Sequence, residues 1–93
     1  MTVKHAEGAN KKNDVFLYAL STCVWCKKTR AFLEELGIDY HYEYVDLLTG
    51  DEREKSLSAI ETLNPQGGFP TMVINKTKVI VGFKPEEISE ILK

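Results

Sequence analysis

A short apolar run, VFLYAL at residues 15–20, leads directly into a helical pattern, and this junction constrains the fold more than any other feature. The run is rich in β-forming side chains, which is typical of a strand buried on both faces of a parallel sheet. Ser21 and Thr22 are N-cap residues, and a helical segment follows to about Leu36, with Gly37 as the predicted C′ stop. The junction predicts a strand–helix unit of an α/β protein.

The remaining sequence continues to alternate strands and helices. Residues 39–47 alternate tyrosines with other side chains, which is the period of a strand, and residues 51–63 predict an amphipathic helix with Leu57 and Ile60 on one face. The strands TMVI and KVIV surround the turn NKTK, and Pro85 suits the first turn of a last helix. The order β-α-β-α-β-β-α predicts a four-stranded mixed sheet flanked by three helices, because a strand–helix–strand start implies a parallel pair.

Length and composition limit the class of protein. The 93 residues suffice for one compact domain, assigned to residues 14–93, and the polar residues 1–13 are predicted to form a flexible N-terminal tail. The 12 basic and 14 acidic residues are dispersed, without the basic patch that nucleic-acid binding needs. The apolar runs are far shorter than the ~20 residues of a membrane span, and the N-terminus does not resemble a secretory signal. We therefore expect a cytoplasmic monomer that binds neither nucleic acid nor membrane.

The two cysteines of the chain, Cys23 and Cys26, lie in the motif STCVWCKK at the start of the predicted first helix. The first turn of a helix has unpaired N–H groups and partial positive charge, which together stabilise a thiolate. Cys23 at the tip is therefore the predicted nucleophile toward a disulfide. Cys26, one turn further in and more covered, is predicted to resolve the mixed disulfide by attacking Cys23. This chemistry requires no cofactor.

Two other interpretations of the cysteine pair stay open: a structural disulfide and a metal site. A purely structural disulfide across three residues would close a very small loop and stabilise little. A CxxC pair is also half of a zinc site, but no second CxxC follows, and His41 fits an ordinary half-exposed strand residue better than a ligand. An iron–sulfur cluster shared between two chains is the remaining metal alternative, since each chain would supply two thiolates.

Several segments taken together resemble the glutaredoxin family of the thioredoxin fold: FLYALSTCVWCKKTRAFLEELGIDY, YEYVDL, GGFPTMVI and VIVGFKPEEI. The resemblance implies a thioredoxin-like fold and a thiol–disulfide oxidoreductase that reduces protein disulfides through Cys23 and Cys26. It further implies a cis peptide bond before Pro70. Phe69, Pro70 and Thr71 would then form the platform that pairs with an extended substrate strand.

The resemblance also implies further substrate contacts around the cysteine pair. Val24 matches the residue after the first cysteine in the redoxins, the glutaredoxin-like hydrogen donors of ribonucleotide reductase. Trp25 departs from them, and we expect it to stay exposed as a flat contact for a partner protein. Gly82, Phe83 and Lys84 match the GF(R/K)P segment of the redoxins and complete the predicted substrate-binding set.

The electron donor is predicted from two departures. Glutathione-dependent relatives carry a basic residue three positions before the first cysteine, where this chain has Leu20, and acidic residues after a late glycine pair, where it has only Gly82. A glutathione carboxylate would lose a charge-assisted partner at Leu20. The segment GFKPEEI instead resembles the redoxins, which accept electrons from a thioredoxin reductase. This resemblance implies a donor of that type and a role in supplying electrons to ribonucleotide reductase, with a glutathione-dependent glutaredoxin as the alternative.

Overall fold

The structure, a computed structural model, describes residues 3–92, and these form a mixed sheet of five strands in the order β1-β3-β2-β4-β5. Strands β2 and β3 are parallel, and the other neighbouring pairs are antiparallel. From β2 onward the elements follow the predicted order, which confirms the α/β class. The strands are β1 (Lys4–Ala6), β2 (Val15–Ala19), β3 (Tyr40–Tyr44), β4 (Thr71–Ile74) and β5 (Lys78–Val81), and the helices are α1 (Val24–Glu35), α2 (Gly50–Leu63) and α3 (Pro85–Leu92).

The prediction of four strands was wrong by one, because β1 lies within the segment assigned to a flexible tail. It pairs antiparallel with β3 and forms one edge of the sheet. Asp39 anchors the segment, since its carboxylate hydrogen-bonds to His5 Nε2 at 2.9 Å and accepts the Gly8 N–H at 3.1 Å. Gly8 lies so close to the neighbouring backbone that a Cβ there would be 2.5 Å from the Gly37 carbonyl oxygen. A strand of three residues gives almost no periodic signal in the sequence. Its formation depends instead on contacts between residues that are far apart in the chain.

The two faces of the sheet are covered by different helices. Val15, Leu17 and Ala19 of β2 are buried in one cluster with Leu33 of α1 and Ile88 of α3. This cluster is the main core of the protein, and it also holds the Cys26 side chain. Helix α1 is therefore fixed against the sheet at the point where the cysteine pair begins.

The opposite face is covered by α2, and more loosely. Glu43 of β3 is buried there and accepts a hydrogen bond from the Ser56 hydroxyl of α2. On this face the predicted burial is corrected twice. Phe16 of β2 is only half-buried, and Leu57 of α2 is 43% exposed whereas Ile60 is 4% exposed. Within residues 3–92, none of the helices has the length and apolar character that crossing a membrane requires.

Helix α1 ends where the sequence predicts. Gly37 has a φ of 71°, a left-handed conformation that favours glycine, and its N–H donates to the Glu34 carbonyl at 3.0 Å. The N–H of Ile38 reaches back to the Leu33 carbonyl at 3.0 Å. Both bonds satisfy carbonyls that the last turn leaves open, and the chain then enters β3.

Candidate functional site

Cys23 caps α1 with its own sulfur. Its backbone is extended, with φ −83° and ψ 119°, and its Sγ accepts the backbone N–H of Cys26 at 3.2 Å. The Cys23 N–H donates to the Leu20 carbonyl at 3.2 Å, which closes the turn between β2 and the helix. The N-cap is thus Cys23, and the assignment of Ser21 and Thr22 as N-caps is corrected. A sulfur in this position meets the unpaired amides of the first turn, where a thiolate is stabilised.

The two thiols differ in exposure and in their electrostatic surroundings. Both are free; Cys23 is partly exposed, whereas Cys26 is 1% exposed. Burial raises the pKa of Cys26 to about 12, and the hydrogen bond with Cys23 adds to the increase, while a backbone hydrogen bond from Leu20 opposes it. At neutral pH Cys26 is therefore a protonated thiol beside an accessible one. This arrangement is chemically suited to one attacking and one resolving sulfur.

The loop before β4 is fixed by its own polar side chains. The Phe69–Pro70 peptide bond is cis, as the resemblance implied. Pro70 and Thr71 are fully buried, and Phe69 packs against the same buried cluster that holds Cys26. The Thr71 hydroxyl donates to the Gly68 carbonyl at 2.8 Å, so it holds the loop in place from within. Phe69, half-buried, is the member of this group that also reaches the surface.

Two contacts join the three predicted segments. The Gly82 N–H donates to the Pro70 carbonyl at 2.8 Å, which links the end of β5 to the start of β4. Phe83 then stacks with Trp25 of α1, with ring centroids 6.1 Å apart and an interplanar angle of 26°. Trp25 is 55% exposed and Val24 62% exposed, so both stand out from the surface beside Cys23. The predicted exposure of Trp25 is confirmed.

Lys84 is joined less closely to this group. It precedes α3, where its carbonyl accepts the Ile88 N–H at 3.0 Å, and its side chain is exposed. Two residues that the sequence did not single out complete the aromatic group. Lys28 lies over the Trp25 ring at 4.7 Å, and Phe32 meets Phe83 edge-on at 5.9 Å between centroids. Helical spacing places Lys28 next to Trp25, and this was the available signal.

Asp46 is the other residue that the sequence analysis missed. It lies in a 3-10 turn, Val45–Leu47, that follows β3, and its carboxylate accepts both the backbone N–H and the hydroxyl of Ser21. These hydrogen bonds lower the pKa of Asp46. The sequence did contain a signal for the position of Asp46. Because β2 and β3 are parallel, the residues that follow their carboxyl ends lie at the same end of the sheet.

The described residues contain no group of three or more His, Cys, Asp or Glu side chains arranged to hold a metal ion. His41, the histidine weighed as a ligand, lies in β3 and stacks on His5 with ring centroids 4.3 Å apart. Because His5 belongs to β1, this stack lies at the side of the sheet that β1 forms. A cluster held by thiolates would require cysteines from a second chain.

A sheet of this topology, with a CxxC pair at the N-terminus of α1 and a cis-proline before β4, defines a thioredoxin-like redox protein. The glutaredoxin family model matches residues 15–79, and the chain belongs to that family. Members of the family are thiol–disulfide oxidoreductases, and this general activity applies to the chain.

Solved structures and a curated relative agree with this membership. The chain is similar to the glutaredoxin from Methanosarcina mazei Go1, at 47% identity and a TM-score of 0.89, covering 99% of this chain and 88% of that one. It is similar to methanoredoxin from Methanosarcina acetivorans, at 44% identity and a TM-score of 0.87, covering 91% and 88%. An uncharacterized glutaredoxin-like 8.6 kDa protein in the rubredoxin operon of Clostridium pasteurianum is 34% identical over 77 residues, which are 83% of this chain and 95% of the relative.

Proposed function

We propose that the protein reduces disulfide bonds in other proteins by a dithiol mechanism through Cys23 and Cys26. The observation that carries this proposal is the local geometry of the pair. Cys23 Sγ sits at the helix tip, partly exposed, and accepts the Cys26 N–H at 3.2 Å, while Cys26 is buried directly behind it. One sulfur can reach a substrate, and the other can reach only the first sulfur.

In the first step, the Cys23 thiolate attacks one sulfur of the substrate disulfide. A bond forms between Cys23 and that sulfur, and the other substrate sulfur leaves as a thiolate. The amide of Cys26, which already donates to Cys23 Sγ, favours the charged form of the nucleophile before the attack. The product is a mixed disulfide with Cys26 still protonated.

In the second step, Cys26 loses its proton and attacks Cys23. The mixed disulfide breaks, the second substrate thiolate leaves and takes up a proton, and the Cys23–Cys26 disulfide holds the two-electron oxidation. Formation of the mixed disulfide itself prepares this step. The hydrogen bond and charge of Cys23 help to raise the pKa of Cys26, and both are lost once Cys23 is bonded to substrate.

The proposed substrate surface surrounds Cys23. An extended substrate strand pairs with the backbone beside Pro70, between Phe69 and Thr71, as the family resemblance implies. Val24 and Trp25 flank the attacking sulfur on the helix, and Gly82 and Phe83 border the strand on the side of β5. Lys84, at the exposed start of α3, supplies a positive charge at the end of this surface. Hydrogen bonding and ring stacking hold most of this set together before any substrate arrives.

For the electron donor we propose a thioredoxin-reductase-type protein, and for a substrate ribonucleotide reductase. Leu20 supports this choice, because its half-buried side chain is apolar. It therefore offers no charged side chain to a glutathione carboxylate, a contact worth roughly 1.5–3 kcal/mol where a charged group is present. Glutathione is the alternative donor.

The test runs insulin reduction and ribonucleotide reductase turnover with glutathione or with thioredoxin reductase as donor. We expect turnover with thioredoxin reductase and little with glutathione; rapid reduction of the oxidised protein by glutathione would contradict the donor proposal. Cys23→Ser should abolish activity, and Cys26→Ser should accumulate mixed disulfides with substrate. Activity that survives Cys23→Ser would remove the nucleophile assignment, whichever donor is used.

A further inference from the structure

The turn that carries Cys23 is held by a carboxylate from a different part of the sheet. Ser21 donates its backbone N–H to Asp46 Oδ1 at 2.8 Å and its hydroxyl to Oδ2. Asp46 lies after β3, 25 residues away along the chain. Two bonds from one residue to both oxygens of one carboxylate fix the orientation of the Ser21 peptide as well as its position.

The clamped turn is bonded to the start of α1 through Leu20, the residue just before Ser21. The Leu20 carbonyl, which belongs to the same peptide as the Ser21 N–H, accepts the Cys23 N–H at 3.2 Å, and the Leu20 backbone acts to lower the pKa of Cys26. A shift of the Ser21 peptide would therefore move the carbonyl that holds the Cys23 N–H. Asp46 is linked to the cysteine turn in this way, through Ser21 and Leu20.

We propose that Asp46 is a positioning residue of the redox centre, which orients the turn that holds Cys23 at the tip of α1. The proposal rests on the dithiol function proposed above. The negative charge of Asp46 adds to burial and to Cys23 in favouring the protonated form of Cys26, so Cys26 stays a thiol until the mixed disulfide forms.

The electrostatic surroundings of Cys26 agree with this role. Its side chain lies in the buried cluster with apolar residues of β2, β4 and α3. Among the described residues, the ionisable groups that act on it are Cys23, at the N-cap of its own helix, and Asp46, from the turn after β3, and both raise the pKa of Cys26. Because the Ser21 hydrogen bonds lower the pKa of Asp46, it stays a carboxylate at neutral pH and is poorly suited to accept a proton from Cys26.

The test follows one turnover of the reduced protein with the reagent 5,5′-dithiobis(2-nitrobenzoate). Attack by Cys23 releases a first coloured thiolate and leaves the mixed disulfide; attack by Cys26 on Cys23 releases the second. The second phase therefore reports the resolving step alone, and its rate is measured against pH. If wild type shows no second phase, the dithiol function itself fails, which is a different result from any effect of Asp46.

Asp46→Asn separates charge from geometry, because an amide can still accept the Ser21 N–H and donate to its hydroxyl. We expect the pH profile of the second phase to move down by about half a unit. This gives about threefold more thiolate at fixed pH, and the lower nucleophilicity of a more acidic thiol leaves a gain of about twofold in rate. An unshifted profile in a folded Asp46→Asn protein would overturn the role of the charge.

Ser21→Ala is the complementary variant, since it removes one hydrogen bond and keeps the carboxylate. We expect both phases to slow while the pH profile of the second phase stays where it is in wild type. Asp14→Asn, which removes a carboxylate at the far end of β2, is the matched control and should change neither phase. If Ser21→Ala left both rates unchanged, the positioning half of the proposal would be wrong.

Discussion

Cys23 and Cys26 are the same side chain three residues apart, yet their surroundings differ in each property that governs thiol reactivity. One sulfur is partly exposed at the helix tip and accepts an amide hydrogen; the other is 1% exposed, in an apolar cluster. The difference comes from the helix. Residues i and i+3 lie on nearby but not identical faces, so the first turn can present one thiol to solvent and turn the other to the core.

This asymmetry predicts selective alkylation of the reduced protein. Because the thiolate is the reactive form and Cys26 is buried with its pKa raised to about 12, we expect iodoacetamide at neutral pH to modify Cys23 at least about tenfold faster. Peptide mapping by mass spectrometry measures both sites in one sample. In a Cys23→Ser variant, Cys26 should stay slow, which controls for simple competition. Equal labelling of the two sites in folded wild type would contradict the assigned roles.

At the scale of elements, three features of the protein could be predicted and two could not. The strand–helix junction, the cis-proline segment and the late GFKP segment each have a local signature of a few adjacent residues. Strand β1 and the Asp46 clamp do not. Both depend on pairs far apart in the chain, His5 with Asp39 and Ser21 with Asp46, whose partners become neighbours only after the sheet has formed. The predicted parallel pair implies that the residues following β2 and β3 lie at the same end of the sheet, but it did not single out Asp46.

Helix α1 is tied to β3 by a further long-range group. The Arg30 guanidinium lies over the Tyr42 ring at 3.9 Å and donates to the hydroxyls of Tyr40 at 2.9 Å and Tyr44 at 2.6 Å. The tyrosines alternate along the predicted strand, but no local pattern in the sequence connects them with Arg30. The planar guanidinium explains the match, since it can stack and donate in its plane at once. This group holds the helix that presents Cys23.

The docking of β1 should depend on pH through Asp39. The hydrogen bond from His5, followed by that from the Gly8 amide, lowers the pKa of Asp39 below its value in an unfolded chain. A depressed carboxyl pKa contributes stability that is present above the unfolded value of about 3.9 and is lost as pH falls through the lower, folded value. We therefore expect Asp39→Asn to lose stability relative to wild type at pH above about 5 and to converge with it in acid.

Urea unfolding at several values of pH measures this difference. Asp46 also has a lowered pKa, but it is present in both proteins and cancels in the comparison. Glu35→Gln, which removes an exposed carboxylate from the end of α1, is the matched control and should track wild type. Parallel stability curves for wild type and Asp39→Asn over this range would show that the Asp39 contacts do not hold β1.

At the scale of the whole molecule, topology explains why segments distant in the chain meet at one end of the sheet. Strands β2 and β3 both end there because they are parallel. Strand β4 runs antiparallel to β2, so it begins at this end of the sheet, with Thr71 opposite Tyr18. Strand β5 then returns to the same end, with Val81 opposite Thr71. The cysteine turn, the Asp46 turn, the cis-proline and the GFKP segment therefore follow or precede four neighbouring strands. The hairpin turn at Asn75 lies at the other end, away from the chemistry.

The buried thiol also makes the stability of the whole reduced protein depend on alkaline pH. The pKa of Cys26 is raised to about 12 in the folded protein, against about 8.5 for free cysteine. For an acid whose folded pKa is raised, the stabilisation is complete below the unfolded value and is lost as pH rises toward the folded one. Above about pH 8.5 the unfolded chain ionises Cys26 first, and stability falls by at most about 1.4 kcal/mol per pH unit from this group.

The comparison that isolates this effect is reduced wild type against Cys26→Ala, unfolded in urea with a phosphine reductant from about pH 7 to 10. Tyrosines and lysines titrate in both proteins, so only the divergence between the curves reports Cys26. We expect a constant offset below about pH 8, from the smaller side chain, and a steeper decline of wild type above it. Curves that stay parallel to pH 10 would mean that Cys26 ionises as easily in the folded protein as in the unfolded chain. The protected thiol on which the resolving step depends would then be absent.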